Sequence, residues 1–116
     1  MSKKPIITFT SLVVLAILLA ACSVPTKKVT LVAEDILWNL ETIEAKVNQP
    51  IEITIRNDGA LDHDFVIAEL DIDVLLSPGD VEVVEFTVDH AGTITYICNI
   101  PGHEEAGMVG QIIITD

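Results

Sequence analysis

Four side chains that bind copper well are spaced so that they could close around one ion. Cys98, His103 and Met108 lie in one short stretch, with four residues between each and the next, and His63 lies far upstream. One thiolate, two imidazoles and a weak axial thioether suit both Cu(I) and Cu(II), and they form blue-copper electron-transfer sites. Taken singly, each residue would more often be a surface or core residue. Together they predict one mononuclear copper site.

The elements that must position these ligands are short β-rich runs separated by turn residues. Ile51, Ile53 and Ile55 alternate with polar residues, which is the pattern of a half-buried strand. Other strands are expected at 29–32, 42–47, 64–68, 84–88, 93–98 and 111–115. A turn of helix is expected, if anywhere, within 69–76. Seven or eight strands in under 100 residues predict an all-β Greek-key sandwich over residues 29–116.

Alternation and turn chemistry explain how the ligands would meet. Cys98 lies at the end of a strand, and its side chain should point to the inner face of that strand. Pro101 and the glycine after it turn the chain, so that His103 can come back to the thiol of Cys98. Gly107 gives the loop the freedom to bring Met108 to the same place. His63 should face inward from a neighbouring strand. We therefore expect a nearly pre-formed site, which suits electron transfer.

The N-terminus has the anatomy of a secretory signal. Residues 1–4 carry two lysines, residues 6–21 are almost wholly apolar, and small residues precede Cys22. The segment 19–22 resembles the lipobox of bacterial lipoproteins, which implies cleavage after residue 21, lipidation of Cys22 and a short linker over 22–28. An uncleaved anchor helix is the alternative. Either reading predicts an extracytoplasmic domain, on the periplasmic side or outer face, beside a membrane.

Charge and cysteine usage narrow the function further. Residues 23–116 carry 4 basic and 18 acidic side chains, a formal net charge of −14. Such a surface argues against nucleic acid and favours basic partners, although it also aids solubility. Lipidation of Cys22 would leave Cys98 as the only free thiol, so no internal disulfide is expected. Copper would protect this thiol in an oxidising compartment.

The motifs together resemble the cupredoxin family of type 1 blue copper proteins. The resemblance rests on Arg56-Asn57-Asp58-Gly59, His63-Asp64-Phe65, Ser77-Pro78-Gly79 and the stretch 92–110, and it covers about 29–116. The Cys-x4-His spacing is similar to that of azurins and auracyanins, whereas plastocyanins have a shorter loop. The resemblance implies an eight-stranded sandwich, one copper ion and one-electron transfer. It also implies that His63, Cys98, His103 and Met108 are the ligands and that electrons pass the edge of His103.

Two positions depart from the family pattern. Asp64 stands where the family often has an Asn that ties the two ligand loops together. A carboxylate could make the same hydrogen bond and would favour Cu(II), or it could turn to solvent. Ile97 stands where plant plastocyanins have a Tyr at a remote acidic docking site. Exchange through His103 is therefore the expected route.

The two acidic residues after His103 have both an ordinary and a functional interpretation, whereas His90 and Trp38 have an ordinary one. Glu104 and Glu105 follow His103 directly, and they form either a solvated loop or an acidic rim that steers a basic partner. His90 is expected at the surface. Trp38, the only Trp, is expected to pack in the core.

The leading hypothesis is a monomeric, membrane-tethered electron carrier. Its partners would be redox proteins of a membrane electron-transfer chain, with a basic c-type cytochrome as one candidate. An enzyme is not expected, because His90 is the only histidine left for a second copper site and Gly102 occupies the position where a dinuclear centre needs a second Cys. The alternative is a periplasmic copper-binding or delivery protein. Such proteins usually rely on Met and His clusters, and Met108 is the only Met after the signal segment.

Overall fold

The computed structural model describes residues 23–116, and nine β-strands provide most of their regular structure. In chain order these are β1 (Lys27–Glu34), β2 (Leu37–Trp38), β3 (Thr42–Lys46), β4 (Ile51–Asn57), β5 (His63–Ile67), β6 (Ile72–Leu76), β7 (Val81–Phe86), β8 (Gly92–Ile97) and β9 (Val109–Thr115). Within this range no helix has the length and apolar character needed to span a bilayer. The predicted signal peptide, 1–21, and the predicted lipidation site Cys22 lie outside the described residues.

The strands form two sheets that pack as a sandwich. One sheet has the order β2-β1-β4-β7 and the other has the order β3-β9-β8-β5-β6. Both are mixed, because β1 runs parallel to β4 and β3 runs parallel to β9, whereas the other pairs are antiparallel. Strands that are neighbours in space are often distant in sequence, as Greek-key connections require. The predicted all-β sandwich is confirmed, with nine strands where about eight were expected.

The core lies between the sheets and follows the period-two alternation of the strands. Ile51, Ile53 and Ile55 on β4 are at most 1% exposed, and Ile112 and Ile114 on β9 are at most 2% exposed. Successive side chains of a strand point to opposite faces, so one face of each sheet becomes apolar and packs against the other sheet. In the described part of the chain, all the core residues lie within β1 to β9 and their connections. A fragment of residues 23–116 therefore contains all nine of these strands and the core between them.

Tyr96 on β8 anchors the middle of this core. Its ring is fully buried, and its hydroxyl donates a hydrogen bond of 2.5 Å to the carbonyl oxygen of Leu40. Burial, with a smaller contribution from Glu41, raises the pKa of Tyr96 to about 12, so the hydroxyl stays a donor at neutral pH. Gly110 lies opposite Tyr96 on β9, and a Cβ there would come within 2.1 Å of the ring. The ring therefore fits only because residue 110 has no side chain.

Two strands were not among the expected ones, and both lie at sheet edges. β2 has only two residues, and β6 lies where a turn of helix was considered. A single 3-10 turn does form at Ala68–Leu70, and it ends at Asp71 in the left-handed conformation. β6 then pairs with β5 from Ile72 to Leu76. Because β6 pairs on one side only, its apolar and polar residues alternate weakly, and the sequence pattern was therefore ambiguous there.

Candidate metal centre

Cys98 lies directly after β8, at the point where the chain leaves the sheet. The alternation places it on the same face as Ile94 and Tyr96, and all three are buried, as predicted. Its backbone N–H donates to the carbonyl oxygen of Met108 at 3.0 Å, which closes the base of the loop that follows. The thiol is therefore held at the inner end of the strand.

His63 reaches the same place from the adjoining strand. It is the first residue of β5, which lies next to β8 in the five-stranded sheet, and it pairs across the strands with Leu76. The side chain is fully buried. The prediction that His63 faces inward from a neighbouring strand is confirmed.

A tight loop brings His103 back to the thiol. The N–H of His103 donates to the carbonyl of Ile100 at 2.9 Å, and the carbonyl of His103 accepts from Met108 N–H at 3.0 Å. Gly102 and Gly107 have φ values of 88° and 100°, a left-handed conformation that glycine adopts without steric cost. The turn at 101–102 and the freedom of Gly107 thus act as the sequence predicts.

Three donor atoms from these segments converge. His63 Nδ1 lies 3.2 Å from His103 Nδ1, and the Sγ of Cys98 lies 3.8 Å and 3.4 Å from those two nitrogens. A point equidistant from three atoms with these separations lies about 2 Å from each, which is close to the bond lengths that imidazole nitrogen and thiolate sulfur make to first-row metals. His63, Cys98 and His103 are positioned to bind a single copper ion.

Burial sets the protonation of these groups before a metal binds. Burial lowers the pKa of His63, and the neighbouring His103 lowers it further, so the His63 imidazole is neutral and can bind a metal. Burial likewise raises the pKa of the Cys98 thiol, although the N–H groups of Asp64 and Ile100 oppose this. Since the thiolate is the metal ligand, copper binding must release the Cys98 proton.

Asp64 connects the two segments that carry ligands. Its Oδ1 accepts a hydrogen bond from the N–H of Asn99, and its own N–H donates to Cys98 Sγ at 3.5 Å. The sequence left open whether this carboxylate bonds to the ligand loop or turns to solvent. It bonds to the loop, and it adds a negative charge beside the thiol.

Met108 is fully buried and its backbone bonds to both Cys98 and His103. Its place in the loop agrees with the expected axial role, which stays a prediction. Glu104 and Glu105 are exposed on the same loop, as either of their interpretations requires. His90 is exposed and Trp38 is buried, so both expectations for these residues are confirmed.

One residue near the centre carried no signal in the sequence. Asp35, in the turn between β1 and β2, places its Oδ1 3.7 Å from Nε2 of His63. An acidic residue in a surface turn is ordinary, and nothing in its local pattern connects it to a histidine on β5. Only the packing of the β1–β2 turn against the segment before β5 brings the two together.

Comparison with known proteins agrees with this fold and this donor set. The Cupredoxin-like domain family matches residues 7–114. The chain is 44% identical over 41 residues to the copper-resistant cuproprotein CopI of Pseudomonas aeruginosa, a match covering 35% of this chain and 23% of that protein. The chain thus matches under a quarter of that relative's length.

Solved structures of auracyanins are similar in fold. The sodium-dithionite-reduced auracyanin of Roseiflexus castenholzii superposes with a TM-score of 0.70 at 20% identity, over 78% of this chain and 98% of that one. Auracyanin A, a blue copper protein of Chloroflexus aurantiacus, superposes with a TM-score of 0.67 at 18% identity, over 78% and 99% of the two chains. At these identities the likeness shows the shared fold.

Proposed function

The chain belongs to the cupredoxin-like domain family, and on that premise we propose that it is a mononuclear blue copper protein that carries single electrons between redox partners. The observation that supports this most directly is the convergence of Cys98 Sγ with the Nδ1 atoms of His63 and His103. Bound there, copper would supply a one-electron couple between Cu(I) and Cu(II). The protein would perform no substrate chemistry of its own.

The residues around the donors limit reorganisation during electron transfer. His63 and Cys98 are fully buried, and the loop that carries His103 is closed by its own backbone hydrogen bonds. Asp64 holds that loop to β5. A site whose ligands are already fixed changes little between oxidation states, and this supports rapid electron exchange.

His103 is the best candidate for the exit of electrons. It is 8% exposed, whereas His63 and Cys98 are completely covered. Glu104 and Glu105 lie exposed beside it, so a basic redox partner would be drawn to this end of the sandwich. A basic c-type cytochrome fits that chemistry.

We also propose that the domain is tethered to a membrane through Cys22, with its copper end facing away from the bilayer. β1 begins at Lys27, whose N–H donates to the carbonyl of Pro50, and the strand leads toward Asp35 next to His63. Eight residues of strand span about 25 Å. An anchor preceding Lys27 would therefore leave the site free for an extracytoplasmic partner.

The test is to load the fragment 23–116 with Cu(II) and measure its visible spectrum and voltammetry. We expect an intense blue colour and a reversible one-electron wave. Because Cys22 is absent from the fragment, Cys98 is its only thiol, and Cys98→Ser should abolish the colour while the fold persists by circular dichroism. A colourless wild-type protein, or colour that survives the substitution, would refute the proposal.

Copper binding or delivery is the second candidate, and the match to CopI favours it. The two functions differ in whether the protein retains the copper ion or transfers it to another molecule. A carrier of electrons should hold Cu(I) and Cu(II) through repeated redox cycles in the presence of a competing chelator. Rapid loss of copper to the chelator, without redox cycling, would support delivery.

A further inference from the structure

The outer nitrogen of the His63 imidazole is buried without a hydrogen-bond partner. Nδ1 faces the other two donors, and Nε2 on the far side of the ring is one of two buried side-chain polar atoms in residues 23–116 that lack a partner. Leaving a buried N–H unpaired is unfavourable, because the group loses its hydrogen bond to water and gains none in the protein. Histidines that bind metals almost always donate this second N–H to a carboxylate, a carbonyl or water, which fixes the tautomer and the ring orientation.

In the described part of the chain, Asp35 has the only carboxylate oxygen within 4.0 Å of a ring nitrogen of His63. Its Oδ1 lies 3.7 Å from Nε2, somewhat beyond hydrogen-bond distance. The carboxylate is about half exposed, whereas the imidazole is fully covered. A carboxylate at a solvent boundary can move by less than 1 Å more easily than a ring enclosed on every side.

The carboxylate is held at this position by its own contacts. Its Oδ1 accepts from the backbone N–H groups of Ala60 at 2.9 Å and Leu61 at 3.3 Å, in the connection that leads into β5. Gly59 allows the approach, because a Cβ at that position would come within 2.3 Å of the same oxygen. The turn after β1 is thus fastened to the segment that carries His63.

We infer that Asp35 is a positioning residue for His63: its carboxylate accepts the Nε2–H and keeps the Nδ1 lone pair directed at the metal. The effect of this contact on copper binding rests on the proposed function, but the contact itself does not. The contact predicts that the metal-free protein already holds His63 as the Nε2–H tautomer. Failure of the contact can therefore be distinguished from failure of the copper function.

The first measurement is the tautomer of His63, read from two-bond ¹H–¹⁵N correlations in the metal-free fragment 23–116. We expect the Nε2–H form in the wild type and a mixture of tautomers in Asp35→Ala. Asp35→Asn should retain the wild-type form, because Ala60 and Leu61 require an oxygen at the Oδ1 position and that oxygen also faces His63. A wild-type ring with its proton on Nδ1, or an unchanged tautomer in Asp35→Ala, would overturn the inference.

The second measurement is metal affinity, with Zn²⁺ as a redox-silent probe and Cu²⁺ in parallel. Loss of an outer partner of a ligating histidine costs about 10–100-fold in affinity, so Asp35→Ala should bind at least about 10-fold more weakly and Asp35→Asn should retain most of the affinity. Asp62→Asn is the matched control, since it removes a neighbouring negative charge without removing the contact. An equal loss in Asp62→Asn, or no rescue by Asp35→Asn, would show that the effect is general charge or loop stability.

Gly59→Ala provides an independent perturbation that substitutes no metal ligand and no acidic residue. The added methyl group should displace the Asp35 carboxylate, so the tautomer mixture and the weaker affinity of Asp35→Ala should reappear. A folded Gly59→Ala protein with wild-type tautomer and affinity would count against a positioning role.

Discussion

The Asp64 carboxylate accepts a hydrogen bond from the backbone N–H of Asn99, joining the residue that follows the first ligand to the residue that follows the thiol. The backbone N–H of Asp64 also donates to Cys98 Sγ. A neutral amide could make the first of these bonds equally well. The carboxylate therefore adds a negative charge at the site without changing how the loops are tied, and this charge favours Cu(II) over Cu(I).

Asp64→Asn should raise the reduction potential, because the amide oxygen can still accept from Asn99 while the charge is removed. By Coulomb's law with an effective dielectric of about 20 and a separation of several ångström, the change should be on the order of 100 millivolts. Protein-film voltammetry measures it directly. Asp89→Asn, which removes a fully exposed acid from the connection between β7 and β8, should leave the potential unchanged. An unchanged or lower potential in Asp64→Asn would refute the electrostatic role.

Met108→Gln should lower the potential while the protein keeps its copper. An amide oxygen is a harder donor than a thioether and stabilises Cu(II), and the two side chains have similar volume, so the buried position should tolerate the change. Voltammetry and electron paramagnetic resonance of the loaded protein provide the measurement. Loss of copper from a folded variant would mean that Met108 does more than tune the potential.

The double substitution Glu104→Gln/Glu105→Gln should slow electron exchange with a basic c-type cytochrome at low ionic strength. The reason is that charges at the docking rim mainly affect the association rate, and the difference should shrink as salt is added. Stopped-flow mixing at two ionic strengths checks this. Glu44→Gln/Glu85→Gln removes the same charge from exposed positions on β3 and β7 and should have a smaller effect. Equal rates for all three proteins would rule out the acidic rim.

Gly110→Ala should destabilise the fold by about 1–3 kcal/mol, because the new Cβ would overlap the buried ring of Tyr96. Denaturant unfolding of the metal-free fragment measures this loss. In a Tyr96→Leu background the same substitution should cost less, since the ring is no longer there. Additive losses would show that the two residues do not compete for the same space.

Much of the sandwich was predictable because its central strands have strong local patterns. The alternation of Ile51, Ile53 and Ile55 requires one apolar face, and the structure buries that face. The edge strand Ile72–Leu76 was not predictable, since it pairs on one side only and its burial is incomplete. This strand forms only when β5 is available as its partner, and a short stretch of sequence does not contain that information.

The chemical identity of the metal centre was evident from residue types alone. A thiol, an imidazole and a thioether, with four residues between each and the next, and a second imidazole upstream specify donor atoms, and donor atoms are local properties of side chains. The spacing of those atoms is not local. Strand pairing between β5 and β8 decides that His63 meets Cys98, and the packing of the β1–β2 turn decides that Asp35 meets His63. Such contacts join residues far apart in the chain, so only the folded protein could reveal them.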